Sequence, residues 1–129
     1  MLNDFIKDVK KIIRTDKRFQ VEAYTFVMEC LHFYTQNKKL PTGKHITGRE
    51  LLLGFRDYAQ KSFGPMAKFT LNLWGIHTTQ DVGDIVYNMI DKGLMGREEA
   101  DSLDDFKDVY NFDDIFKEDY FSEEAINNS

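Results

Sequence analysis

Residues 47–95 read TGRELLLGFRDYAQKSFGPMAKFTLNLWGIHTTQDVGDIVYNMIDKGLM, and their spacing decides the fold. Thr47 and Glu50 stand at capping-box distance. The threonine hydroxyl can accept from the amide three residues on, while the glutamate reaches back to the amide of the cap. Ile46 and Leu51 are placed as a hydrophobic staple around that cap. The helix so begun runs through Leu52, Phe55 and Ala59 to Phe63. Gly64 ends it, and Pro65 opens a short helix where a missing N–H costs nothing. That helix holds Met66, Phe69, Leu73 and Trp74 and stops at Gly75. After a bridge at Ile76-His77, Thr78 or Thr79 caps a third helix. Its Val82, Ile85, Val86, Met89 and Ile90 make a complete i, i+3, i+4, i+7, i+8 stripe. Gly93, after Lys92, is placed as the glycine that closes it.

Two helices are predicted upstream. Over residues 2–14, Leu2, Phe5, Ile6, Val9, Ile12 and Ile13 form one apolar stripe, and Lys7, Lys10, Lys11 and Arg14 occupy the other face. Over residues 21–37, Glu22, Thr25, Glu29, His32 and Gln36 form a narrow polar stripe. The remainder of that helix is apolar nearly all round, which predicts the central packing element with Cys30 as a buried filler. Residues 38–46 are a basic loop with Pro and Gly punctuation. Downstream, residues 97–108 are acidic and turn-like. Val109, Tyr110 and Phe112 fit a short strand or a helical turn, and Ile115, Phe116 and Tyr120 a last amphipathic turn.

The chain has 129 residues, 42% of them hydrophobic, with 11 Phe, 6 Tyr and 1 Trp. That is core material for one domain, and it excludes a disordered or collagen-like chain. A single cysteine excludes a disulfide scaffold and fits a reducing interior. No apolar run approaches the roughly 20 residues of a membrane helix. The N-terminus, with charges among its apolar residues, is expected to be neither signal nor anchor, and the protein is expected in the cytoplasm. The net charge of −5 conceals a division. Residues 1–70 hold 13 Lys/Arg and 7 Asp/Glu (+6), and residues 71–129 hold 4 and 15 (−11). Either the halves neutralise one another on folding, or the acidic end covers a basic surface until a partner displaces it.

From Thr47 onward the order of helix, turn, short helix, bridge and helix resembles a winged helix-turn-helix domain. The resemblance lies in Met66 to Met95, and it implies a third helix in the DNA major groove. The implied β-wing uses Leu94-Met95-Gly96-Arg97 and Asp108-Val109-Tyr110-Asn111-Phe112. A second resemblance is carried by Arg14-Thr15-Asp16-Lys17-Arg18-Phe19, Glu22-Ala23-Tyr24, His45-Ile46-Thr47-Gly48-Arg49-Glu50-Leu51 and Phe63-Gly64-Pro65-Met66-Ala67. Trp74-Gly75-Ile76-His77 and Asp105-Phe106-Lys107-Asp108-Val109-Tyr110-Asn111-Phe112 complete it. Together these are similar to a small bacterial family of unknown function whose type member comes from Methylacidiphilum. That resemblance implies a bacterial cytoplasmic protein and supplies no activity, cofactor or site.

Chemistry is sparse. Glu29-Cys30-Leu31-His32 has the Glu-x-x-His spacing of di-iron bundles, but in one copy where two are needed. Cys30 has no partner at zinc-site spacing, and Asp101, Asp104, Asp105 and Asp108 lack the glycine and closing glutamate of an EF-hand loop. There is no phosphate loop or nucleophile elbow, so no catalytic residue, metal, cofactor or small-molecule ligand is assigned. Asp81, Asp84 and Asp91 against a lone Lys92 give the would-be groove helix the wrong sign for phosphates.

The expectation is thus a mainly α, single compact domain over 1–121, with a frayed end at 122–129. It comprises two N-terminal helices (1–37), a winged-helix-like part (47–112) with a short hairpin or extended wing, and an acidic-aromatic tail (113–121). It is expected to be a non-enzymatic macromolecule-binding module, most simply an adaptor with a protein partner. Phe116, Tyr120 and Phe121 in the tail would dock while neighbouring acids steer towards a basic surface. The alternative is association with RNA or the ribosome through a basic face built from Lys10, Lys11, Arg14, Lys17, Arg18, Arg49 and Arg56, with Lys38, Lys39 and Lys44. Phe19 and Tyr34 would stack on unpaired bases.

Overall fold

A computed structural model describes residues 2–38, 46–96 and 102–116. Its helices are α1 (Leu2–Thr15), α2 (Val21–Lys38), α3 (Gly48–Phe63), α4 (Ala67–Leu73), α5 (Thr79–Asp91) and a single turn, α6 (Phe112–Ile115). Tight 3-10 turns cover Gly64–Met66 and Leu103–Phe106. The mainly α expectation holds.

α1 turns Val9 and Ile12 inward, while Lys7, Lys10, Lys11 and Arg14 are exposed. α2 packs against α1, α3 and α5. Ala23, Tyr24, Phe26, Val27, Cys30 and Tyr34 are all buried around it, and its polar stripe faces outward at Glu22, Glu29, His32 and Gln36. One contiguous cluster of buried side chains extends from Val9 to Phe116.

The starts and stops of α3 to α5 come from local chemistry. Thr47 and Glu50 form the reciprocal capping box, with both bonds at 3.0 Å. Thr78 and Asp81 repeat the device at α5. α4 and α5 both close in Schellman turns. Ile76 N–H donates to Leu71 and Gly75 N–H to Asn72, and Leu94 and Gly93 do the same to Met89 and Ile90.

Downstream the expected hairpin gives way to helical turns. Among the described residues there is no strand, and residues 97–101 of the anticipated wing lie outside them. Ser102 caps the 3-10 turn by accepting from Asp104 N–H, and Asn111 caps α6 by accepting from Asp113 N–H. Val109 N–H donates to Thr79 Oγ1, and the Tyr110 hydroxyl donates to the Leu52 carbonyl. The Val109 amide, which a β-ladder would use, is thereby engaged elsewhere. The segment is held by aromatics that each enter the core: Phe106, Phe112 and Phe116. Phe106 lies between α3 and α5, where Gly48 and Gly83 leave room for its ring.

Candidate interaction surface

The candidate basic residues among the described ones divide into three groups. Lys10, Lys11 and Arg14 lie exposed along one side of α1, with exposed Lys17 in the turn beyond it. Lys11 reaches Asp8 at 4.0 Å. Arg18 is structural. Its guanidinium donates to Asp16 at 2.7 and 2.9 Å and to Asp84 of α5 at 2.9 Å, and it lies 4.8 Å above the Phe19 ring. Arg49 and Arg56 belong to α3. Arg49 is exposed, whereas Arg56 is half-buried, donates to Asp57 and shares a shallow depression with Asp114 and Ile115. Phe19 and Tyr34 are core residues, so neither can stack on a base.

The acidic half does pack on parts of the basic half. Arg18–Asp84 and Lys68–Asp113 pair across the division, and the Leu103–Phe106 turn lies on α3 and α5. Phe116, expected as a docking residue, is only 4% exposed because its ring packs edge-on against Phe112. Tyr120 and Phe121 lie outside the described residues, as do Lys39 and Lys44.

Asp16 is a well-connected carboxylate. It accepts from Arg18 and from Asn88, which also donates to the Tyr24 hydroxyl. The Arg18 guanidinium holds its carboxyl well below the usual range against the opposing effect of burial, and Asn88 adds to the lowering. A depressed folded-state pKa contributes stability above the unfolded value near 4, and that stability is lost as pH falls below it. Asp16→Asn is therefore expected to cost about 1–3 kcal/mol at pH 7. The gap from the native chain should narrow by pH 3 in urea unfolding, and an equal gap at both pH values would refute the linkage.

A cleft of about 660 Å³ opens between α4, the start of α5 and residues 108–113. Part of its polar lining is committed to structure, while Asn72, His77, Gln80 and Asp108 also line it. Asp81 accepts from the N–H groups of His77 and Thr78 at 2.8 and 3.1 Å, Thr79 holds Val109, Asn111 caps α6, and Lys68 pairs with Asp113. Elsewhere Glu29 accepts from the Tyr58 hydroxyl at 3.3 Å, and His32 meets Gln36 at 2.9 Å. Burial pushes the Cys30 thiol well above its ordinary pKa. Among the described residues no three His, Cys, Asp or Glu side chains are grouped to hold a metal ion. No described helix is long and apolar enough to cross a membrane.

An apolar ridge stands beside the cleft. α4 buries Ala67 and Leu71, yet Phe69 and Leu73 are 58% and 62% exposed, and Met66, in the turn that leads into it, is 53% exposed. On one flank of this ridge Lys68 and Asn72 line the cleft. On the other, Trp74 lines a groove between α2 and α3. The ridge went unassigned in the sequence, although a signal was present. A seven-residue helix with Ala67, Phe69, Leu71 and Leu73, flanked by Met66 and Trp74, has more apolar residues than one buried face accommodates.

No family model, curated protein or solved structure matches the chain.

Proposed function

We propose that the chain is a non-catalytic protein-binding module and that its partner seats on the α4 ridge. The observation that carries this reading is the exposure of Phe69 and Leu73 on α4 with Met66 of the turn that leads into it, at spacings of four and three residues. A contiguous apolar surface of this kind is costly to leave in water and is the usual mark of an interaction site. The engagement of Thr79, Asn111, Lys68 and Asp113 in a hydrogen bond, a cap and an ion pair removes part of the cleft's polar lining from catalysis. The resemblance to the Methylacidiphilum-type family supports a bacterial cytoplasmic setting. The test is a photo-crosslinking residue at position 69, compared with one at exposed Gln80. A discrete adduct at 69 that disappears with Leu73→Glu is expected. Equal labelling at both positions would refute the ridge, and an adduct of twice the chain's mass would make the module self-assembling.

A second reading draws on the bare side of α1. With Leu103–Phe106 packed on α3 and α5, Lys10, Lys11, Arg14 and Lys17 stay exposed and can meet the phosphates of RNA. Retarded migration of single-stranded RNA at low salt, abolished by charge reversal at Lys10, Lys11 and Arg14, is the expected result. Unretarded RNA at low salt would end that reading. The winged-helix likeness gives DNA reading little support: although Arg18 offsets Asp84 and Asp81 is held in its cap, Asp91 stays exposed on α5 with a lone Lys92 beyond it.

A further inference from the structure

The groove on the Trp74 flank of the ridge has a chemistry of its own. Its floor is aromatic: Phe26 lies 5.3 Å from Phe63 and 5.5 Å from Trp74, and Phe33 lies 4.9 Å from Tyr58. Its rim is the polar stripe of α2. Two hollows of about 240 and 350 Å³ share Glu29, and Glu22 lines the first of them. Both carboxylates are exposed, and neither has an ion-pair partner among the described residues.

The half-buried rings of Phe63, Trp74, Phe33 and Tyr58 beside exposed carboxylates, one of which also accepts from the Tyr58 hydroxyl, suit one class of ligand group. The ring quadrupole attracts a cation laid on its face, and a carboxylate at the edge completes the charge. Phe33 already has such a cation, Lys61 Nζ, 5.4 Å from its ring centroid, which leaves the Phe63 and Trp74 end for an incoming one. An anionic partner would be repelled by Glu22 and Glu29. A wholly apolar one would strip water from both carboxylates without replacing their hydrogen bonds. Arginine fits better than lysine, because its planar guanidinium stacks on rings and pairs with a carboxylate in two bonds. Glu22 and Glu29 are seven residues apart on one helix, so their attachment points are about 10 Å apart.

We propose that the partner is a basic amphipathic helix, with apolar residues for the α4 ridge and two arginines about 10 Å apart for the α2–α3 groove. This rests on the protein-binding reading above and names its partner's chemistry.

Trp74 is the chain's one tryptophan and lines the groove, so its emission reports occupancy directly. The probe is a synthetic helical peptide of Leu and Ala with Arg at positions i and i+7, set against the same peptide with neutral citrulline for arginine. The arginine peptide should shift Trp74 emission saturably, and the citrulline peptide should bind about tenfold more weakly. Glu22→Gln with Glu29→Gln should lower affinity for the arginine peptide about fivefold, and raised salt should act in the same direction. Both positions are on the surface, and an unchanged melting curve confirms that the variant folds. Equal binding of the two peptides would overturn the cationic assignment while leaving the ridge intact. No saturable shift with either peptide at millimolar concentration would overturn the groove as a site. Phe69→Ser tests the other reading separately. It should weaken both peptides alike, and no effect on either would count against the ridge alone.

Discussion

Phe106→Ala is expected to lower the unfolding free energy by about 3–5 kcal/mol, enough to depress the melting temperature by about 10–20 °C. Phe106 is fully buried although it belongs to a four-residue turn with little stability of its own. What holds the turn is the seat between two helices. A Cβ at Gly83 would lie 2.7 Å from the Phe106 Cβ, and one at Gly48 would lie 2.9 Å from the ring. Both helices have thus given up a side chain to admit this ring. Truncation leaves a cavity that glycines cannot refill, because neither has a side chain to swing in. It also frees the segment that carries Tyr110 and Phe112 to α3. Gly83→Ala attacks the same seat from the opposite side and should destabilise by displacing the ring. Thermal and urea unfolding followed by circular dichroism would measure both. A loss under about 1 kcal/mol for Phe106→Ala would mean that the turn is not anchored by this ring.

The same residue shows where the sequence stops being readable. The boundaries of α3, α4 and α5 were legible because caps and closing glycines act over three or four residues. Thr47 with Glu50, Gly75 and Gly93 each specify their turn without help from the remainder of the chain, and the start of α5 was narrowed to Thr78 or Thr79, of which the structure uses Thr78 with Asp81. α2 was legible because only a helix in the middle of a core can be apolar nearly all round. Val109, Tyr110 and Phe112 fitted a short strand or a helical turn, because so short a pattern is silent about which single ring will find a gap between two helices. The gap itself is written in Gly48 and Gly83, 35 positions apart, and nothing local connects them to Phe106. The candidate surface divides in the same way. The polar stripe of α2 was visible from its spacing, and so were the lysines of α1. That Phe26, Phe63 and Trp74 meet under that stripe is a tertiary fact, as is the pairing of Arg18 with Asp84, which removes Arg18 from the free basic face.

Gly75→Ala is expected to be among the most damaging single-methyl additions to the chain, at about 3 kcal/mol or more, whereas Gly93→Ala should cost only about 1 kcal/mol. The two glycines do the same local work. Each is the left-handed residue of a Schellman turn, at φ +95° and +80°, so the intrinsic penalty for an L side chain is similar at both. Their surroundings differ. Nothing lies within 4 Å of a Cβ placed on Gly93, while one on Gly75 would collide with the carbonyl oxygen of Arg18. That oxygen cannot easily retreat. The neighbouring backbone is tied down by the bond from Gln20 N–H to the Trp74 carbonyl at 3.0 Å, and the Arg18 side chain is clamped to Asp16 and Asp84. Relieving the collision would therefore pull the α1–α2 turn off the α4–α5 turn and shift Trp74, the wall of the proposed arginine groove. Paired urea titrations of the two variants isolate the effect, since backbone strain is common to both and close approach belongs to one. Equal losses would show that the contact between the two turns contributes nothing beyond strain. A larger loss for Gly75→Ala, with a displaced Trp74 emission maximum in the folded state, would show that the seam between these turns fixes the geometry of the groove.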